Sequence, residues 1–128
     1  IEKNFFDVDS SQLSSTFHNI GYSYDGLEMY DMAIEYYEKA LIHRGSLNDI
    51  STASTHECLA LALQGKGSYK EAMEYFQKLE IFFEKTDEIN EIIYLEIAEL
   101  CDLMDNKEKA KEYREKAQRI IDSISEED

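Results

Sequence analysis

Three stretches of the chain repeat one arrangement of residues, and this periodicity constrains the fold more than any single side chain does. The stretches begin at Ser14, Ala53 and Glu91, and each carries an alanine at its twentieth position. Successive alanines are separated by 39 and then 38 residues. The three alanines are Ala33, Ala72 and Ala110. A period of this size predicts stacked helical hairpins, each too small to bury its apolar face alone.

Helical periodicity runs through almost the whole chain. Apolar residues recur at three- and four-residue spacing, no stretch alternates as a strand would, and there is no Pro to interrupt a helix. Ser68 and Glu71 predict a capping box at the start of the fourth helix. We also expect the extra residues of each repeat to lengthen its first helix by one turn. Six helices are predicted, at residues 10–24, 29–43, 49–64, 68–84, 87–104 and 107–123.

Small residues at the eighth and twentieth positions allow two antiparallel helices to approach closely, and larger residues around them fill the remaining space. The segments FHNIGYSYDGLEMYDMAIEYYEKAL at residues 17–41 and GSYKEAMEYFQKL at residues 67–79 resemble the tetratricopeptide repeat (TPR). The third repeat departs from that pattern at Arg114, where an aromatic residue is expected. The resemblance implies an all-α fold, a right-handed α-solenoid of three TPR-like hairpins with about six helices and no strands.

The chain is therefore divided into five parts. The expected parts are an amino-terminal extension or the end of a preceding helix at residues 1–9, repeats at 10–45, 46–84 and 85–124, and a frayed tail at 125–128. The last helix is rich in Lys and Glu, which predicts a polar end to the stack. Phe5, Phe6 and Val8 at the other end predict self-association of two chains through the amino terminus.

The charge of the chain restricts its partners. The net charge is −15, with 28 acidic residues against 13 basic ones, so the chain repels phosphate backbones. We therefore expect a neutral or basic protein or peptide partner and no direct contact with nucleic acid. No apolar run has the length of a membrane span, and Cys58 and Cys101 lie in no metal-binding spacing. These features predict a cytoplasmic protein without metal or cofactor.

No motif of the sequence indicates catalysis. His18, His43 and His56 are scattered, and His56-Glu57 does not extend to a zinc-hydrolase motif. A nucleophile elbow, a phosphate-binding loop and a dinucleotide fingerprint are all missing from the sequence. The many carboxylates follow from the acidic composition, so we expect no enzyme.

The resemblance also implies a binding face. In TPR proteins the first helix of each hairpin lines the concave side, with its second, fifth, sixth, ninth and twelfth positions facing inward. In this sequence those positions hold Ser15, His18, Asn19, Tyr22 and Asp25, then Ser54, Glu57, Cys58, Leu61 and Gln64, and finally Ile92, Leu95, Glu96, Glu99 and Asp102. All but Ser54, Ile92 and Asp102 are predicted to contact a partner. None of the fifteen is Lys or Arg.

Three functions are compatible with such a face. TPRs that hold the acidic tails of heat-shock chaperones use a Lys, Asn and Arg clamp; Cys58 and Glu96 at clamp positions argue against that function here. A general module for binding an extended peptide or a helix comes first, with Asn19 as an amide that pairs with a peptide backbone. The alternatives are a peptide-sensing segment of a bacterial pheromone receptor, resembled through Asn19-Ile20-Gly21, and a structural self-association unit.

Overall fold

The chain folds into six α-helices. The computed structural model describes residues 10–45, 49–88 and 90–126, and no strand occurs within these ranges. The helices are α1 Ser10–Gly26, α2 Tyr30–Arg44, α3 Ile50–Lys66, α4 Tyr69–Lys85, α5 Glu91–Leu103 and α6 Lys107–Glu126. They pair as α1 with α2, α3 with α4 and α5 with α6, so the predicted all-α order of three hairpins is confirmed.

Small residues set the spacing within each hairpin. The alanines at the twentieth position are 0% exposed in all three repeats. At the eighth position, Gly21 is buried beside the ring of Tyr37, and a Cβ added to Gly21 would lie 2.8 Å from Tyr37 Cδ1. The second and third repeats accommodate Ala60 and Ala98 at that place, both 0% exposed. The predicted register of the hairpins is therefore the one observed.

One apolar core runs through the stack. Tyr37 and Phe76, at the twenty-fourth positions of the first two repeats, are both 0% exposed and belong to it. Burying an aromatic side chain of this size supplies a few kcal/mol, by roughly 25 cal/mol per Å² of apolar area. The other large, fully buried apolar side chains include Leu59, Leu79, Ile97 and Leu100. Because they come from all three hairpins, the repeats stabilise one another.

Each hairpin turns through a residue of positive φ at its fifteenth position. These residues are Glu28 with φ 60°, Gly67 with φ 95° and Asp105 with φ 61°. The next residue then donates its N–H to the carbonyl five residues back, as in Met29 N to Tyr24 O at 3.0 Å. This bond closes the carboxyl end of the first helix in the manner of a Schellman motif. A left-handed residue is thus required at the same place in every repeat.

The predicted start of α5 is wrong by four residues, because the expected helix from residue 87 begins at Glu91. Asp87 has φ 55°, and the Glu88 N–H donates to Phe83 O at 3.1 Å, which closes α4. The Asn90 side chain then accepts the N–H groups of Ile92 and Ile93 and caps α5. The chain therefore uses these residues to end one helix and cap the next, and α5 gains no extra turn.

Two further predictions at helix ends need correction. Ser68 precedes α4 with φ −86° and ψ 65°, and its side chain accepts no capping hydrogen bond, so the predicted capping box is wrong. Helix α6 continues through Glu126, two residues into the segment expected to fray. By contrast, α3 does begin ahead of Ala53, because the Asp49 side chain accepts the Thr52 N–H at 2.7 Å and caps an additional turn.

Two predictions fall on residues outside the described ranges. The amino-terminal extension at residues 1–9, with Phe5, Phe6 and Val8 as a self-association surface, lies there entirely. So do the last two residues of the expected tail.

Candidate partner-binding face

The second, fifth, sixth, ninth and twelfth positions of α1, α3 and α5 are here called the A-helix face. None of its fifteen side chains is fully buried. Eight are exposed, namely Ser15, Asn19, Tyr22, Ser54, Ile92, Leu95, Glu99 and Asp102, and seven are partly buried, namely His18, Asp25, Glu57, Cys58, Leu61, Gln64 and Glu96. Positions between them, such as Leu59 and Ala60, are 0% exposed. The helical period therefore separates one accessible stripe from the core.

In the first repeat, two side chains of the face are held by neighbours. His18 Nδ1 lies 3.0 Å from Thr55 Oγ1 on α3, so this contact joins the first and second repeats. Burial, with a smaller effect of Arg44, lowers the pKa of His18 and keeps the imidazole neutral at neutral pH. The Tyr37 hydroxyl donates to Asp25 Oδ2 at 3.2 Å. Burial raises the pKa of Asp25, while this hydrogen bond opposes the rise.

The accessible part of the first repeat is a polar and aromatic surface. Tyr22 is 66% exposed, and Asn19 and Ser15 lie about one and two helical turns before it on α1. An exposed tyrosine offers apolar area and a hydroxyl at low entropic cost. This part of the face can therefore cover an apolar side chain while Asn19 offers both an acceptor and a donor.

Two carboxyl groups meet at the centre of the face. Glu57 of α3 lies beside Glu96 of α5, and the two carboxyl groups interact. Burial, the hydrogen bond to Glu57 and repulsion from Glu57 and Glu99 raise the pKa of Glu96 to about 8. Glu96 Oε2 is buried, and no described protein group satisfies it. A cation placed beside Glu96 would favour its ionised form, against the burial and the neighbouring Glu57 that favour the protonated one.

Cys58 adjoins this pair but is not a reactive thiol. It is partly buried on α3, close to the Tyr37 hydroxyl. Burial, as the largest cause, raises the pKa of Cys58 to about 11. The thiolate is the nucleophilic form, so this thiol is inert at neutral pH.

The third repeat offers the most apolar part of the face. Ile92 is 55% exposed and Leu95 is 43% exposed, both on α5. Asp102 forms an ion pair with Arg114 of α6. The face thus changes along the stack from aromatic and amide groups, through paired carboxyls, to exposed aliphatic side chains.

The sequence analysis missed the groups that orient the face. Tyr37 holds Asp25, and Arg114 holds Asp102, in both cases through a side chain twelve residues later. In the middle repeat the same spacing pairs Gln64 with Phe76, which has no donor, and Gln64 Oε1 is buried without a partner among the described residues. The signal was available, because the same spacing of twelve residues joins Asp25 to Tyr37 and Asp102 to Arg114. The contact of Thr55 with His18, however, depends on how two repeats stack.

Within the described ranges the chain has neither a metal-binding cluster nor a membrane-spanning helix. No group of three or more His, Cys, Asp or Glu side chains there is arranged to hold a metal ion. None of the helices in that part of the chain is long and apolar enough to cross a membrane.

Comparison with known proteins gives a match within each of the three hairpins. Profiles described as tetratricopeptide repeat match residues 14–45, 59–80 and 92–123. The chain is 34% identical over 76 residues to the uncharacterized protein ycf37 of Cyanophora paradoxa. The matched segment covers 59% of this chain and 41% of that protein. The chain thus spans less than half the length of this curated relative.

A solved structure has the same fold. The crystal structure of the TPR domain of Arabidopsis FLU superimposes with a TM-score of 0.80 at 20% sequence identity, covering 89% of this chain and 98% of that one. At this identity the likeness concerns the fold and not the partner.

Proposed function

The chain belongs to the tetratricopeptide repeat family, and on that premise we propose that it binds a segment of another protein through its A-helix face, without catalysis. Repeats of this family form protein-interaction scaffolds. The observation that carries the proposal is the accessible stripe itself. It combines an exposed aromatic ring, an amide and aliphatic side chains with carboxyl groups, which is the composition of a surface that grips a peptide.

The charge of the face favours a neutral or basic segment. The A-helix face contains five carboxyl groups and no Lys or Arg. The carboxyl groups are Asp25, Glu57, Glu96, Glu99 and Asp102. Of these, Asp102 already pairs with Arg114, whereas Glu57 lies close enough to Glu96 to help raise the pKa of Glu96. A lysine or arginine of the partner would therefore lower the free energy of the ionised pair, and opposite charge also accelerates association.

The proposal is tested by selecting binders from a peptide library and measuring their affinity for the variants Asn19→Ala and Tyr22→Ala. Removing an aromatic anchor of an interface costs about 2 kcal/mol or more, so Tyr22→Ala should weaken binding at least about tenfold. Ile42→Ala is the matched control, since Ile42 is 77% exposed on α2, outside the A-helix face. Binders that tolerate both changes on α1 would show that the face is assigned wrongly.

The pheromone-receptor alternative makes the same face the site of a small signalling peptide. In that reading Asn19 contacts the peptide backbone, and the loss on Asn19→Ala exceeds the loss on Tyr22→Ala. The order of the two losses separates this alternative from a general protein-interaction module.

A further inference from the structure

A second surface lies at the junction between the second and third repeats. A cleft of about 280 Å³ opens there between the start of α3, the end of α4 and the start of α5. Its lining, here called the junction cleft, consists of Ile50, Ala53, Ser54, Glu57, Phe83, Glu88, Asn90 and Ile93. Glu88 and Asn90, which lie between α4 and α5, complete the lining.

The corresponding cleft at the first junction has a different character. It measures about 250 Å³ and is lined by Ser11, Ser14, His43, Arg44, Asp49, Ser51 and Thr52. Counting 39 residues onward, the period of the repeat, places Ile50 after Ser11, Ala53 after Ser14, Phe83 after Arg44 and Glu88 after Asp49. Three polar or basic positions of the first cleft thus become apolar in the second, while the acidic position stays acidic.

The floor of the junction cleft is apolar and partly accessible. Ala53 and Ile93 form its buried base at 3% and 2% exposure, and Phe83 is half-buried against Phe82. Ile50 stands at the rim, 54% exposed. Apolar surface exposed in a concave site gains free energy when a partner covers it.

The rim of the junction cleft is acidic. Glu57 and Glu88 line it, and an adjoining cavity of about 240 Å³ on the other side of Phe83 and Asn90 adds Glu84 and Asp87. Among the described residues, no Lys or Arg lines either cavity. A cationic group beside the cleft would therefore meet carboxylates without competition from the chain's own cations in that lining.

We propose that the junction cleft docks a protein segment that presents an apolar side chain next to lysine or arginine. The apolar side chain covers Phe83 and Ile50 above the buried base of the cleft, and the neighbouring cation faces Glu57 and Glu88. The cleft shares Ser54 and Glu57 with the A-helix face, so one partner can occupy both surfaces. The assignment stands apart from the proposed function, since Phe83 belongs to α4 and lies outside the A-helix face.

The experiment is a titration of the whole, isotope-labelled chain with the capped peptide Ser-Lys-Leu-Lys-Ser, followed by NMR chemical shifts. Saturable changes should centre on the amides of Ala53, Phe83 and Ile93. The peptide Ser-Lys-Ser-Lys-Ser, without the leucine, should bind at least about tenfold more weakly, the value of one buried leucine side chain. Ser-Glu-Leu-Glu-Ser should give no saturable change. Equal binding of the leucine and serine peptides, or changes confined to α1, would overturn the proposal.

Phe83→Arg places in the junction cleft the residue type that Arg44 supplies at the first junction. This variant should bind Ser-Lys-Leu-Lys-Ser at least about tenfold more weakly. Ile81→Arg is the control, because it adds the same charge to the same helix at a residue 63% exposed and outside the cleft. Equal weakening by both variants would mean that only net charge matters, against the proposal. If Phe83→Arg does not fold, Ile50→Arg closes the cleft from α3, with Ile42→Arg as its control.

A second copy of this chain is the competing occupant. Light scattering that shows a concentration-dependent dimer abolished by Phe83→Arg, together with no peptide binding, would assign the cleft to self-association and overturn the proposal. Loss of library binders on Tyr22→Ala with unchanged binding of Ser-Lys-Leu-Lys-Ser would support the A-helix face and the junction cleft as separate sites.

Discussion

The first and third hairpins share the same repeat positions but differ at the twenty-fourth, which is a buried aromatic residue in one and an exposed arginine in the other. At the twenty-fourth position the first hairpin has Tyr37, 0% exposed and close to Cys58 of the next repeat. The third has Arg114, whose side chain is 51% exposed and paired with Asp102. An aromatic residue there joins a hairpin to its neighbour, whereas an arginine gives α6 a charged outer face. Polar outer faces are what the terminal repeats of solenoids carry.

The largest expected effect tests this difference directly. Tyr37→Ala should lower the free energy of unfolding by about 3–5 kcal/mol, because it leaves a cavity where two repeats meet. Arg114→Ala should cost less than about 1 kcal/mol, since it breaks an exposed ion pair. Urea unfolding followed by circular dichroism measures both. Equal losses at the two positions would contradict the view that only the aromatic residue joins repeats.

The next effect concerns the close approach beside Tyr37. Gly21→Ala should destabilise the chain by about 1–3 kcal/mol, because the new methyl group would lie 2.8 Å from Tyr37 Cδ1 and 3.1 Å from the Ala33 carbonyl oxygen. Gly26→Ala on the same helix meets nothing within 4 Å and should be neutral or slightly stabilising. The difference between the two midpoints of thermal unfolding isolates the clash. A stabilising Gly21→Ala would show that Tyr37 can move aside.

A smaller effect should depend on pH at the junction of the second and third repeats. In the folded chain the pKa of Glu96 is raised to about 8. Folding therefore favours the protonated carboxyl of Glu96. Its contribution to the free energy of unfolding is complete below the pKa of the unfolded chain and is lost as the pH rises to about 8. Glu96→Gln keeps the neutral form, so its stability relative to the unmodified chain should rise between pH 5 and 8, by on the order of 1 kcal/mol after solvent screening.

Glu115→Gln on α6 is the control, because it removes one carboxylate at an exposed residue that is not among the groups acting on Glu96. Guanidinium unfolding at several pH values gives both curves. The Glu96→Gln curve should rise more steeply with pH than the control curve, and equal slopes would mean that the surroundings of Glu96 do not raise its pKa.

The smallest effect concerns the turns. Glu28 and Asp105 have positive φ at the turn position where the middle hairpin has Gly67. Glu28→Gly should raise the free energy of unfolding by about 0.5–1 kcal/mol, and Asp105→Gly by less, because aspartate tolerates this conformation better. The reverse change, Gly67→Asp, should destabilise. Calorimetric midpoints for the three variants, ranked against one another, check the order.

Much of the fold could be predicted from the sequence, because the relevant contacts lie within one hairpin. The alanines at the twentieth position, the period of the repeats and the order of the six helices all follow from residues near one another along the chain. The start of α5 could not be predicted in this way. Asp87, Glu88 and Asn90 are each compatible with a first helical turn, and only the closed end of α4 assigns them to a loop and a cap.

The candidate site divides along the same line. Resemblance to the family identified the positions of the A-helix face, and the helical period made them one stripe. The pKa of Glu96 could not be predicted from the sequence, since Glu57 acts on Glu96 only where α3 and α5 come together across a repeat junction. The hydrogen bond between Asp25 and Tyr37 is intermediate in this respect. Its spacing of twelve residues can be read from the sequence, but the contact forms only when α1 and α2 pair in the hairpin.

The order of residues along the chain determined what each hairpin is: two helices held at a fixed distance by small side chains, because helical period and side-chain volume are local properties. Tertiary structure alone decided how the hairpins meet. It turned two similar junctions into a polar cleft around Arg44 and an apolar one around Phe83, and it brought the carboxyl groups of Glu57 and Glu96 together. Burial and proximity between distant residues set those outcomes, and neither quantity is carried by any single segment.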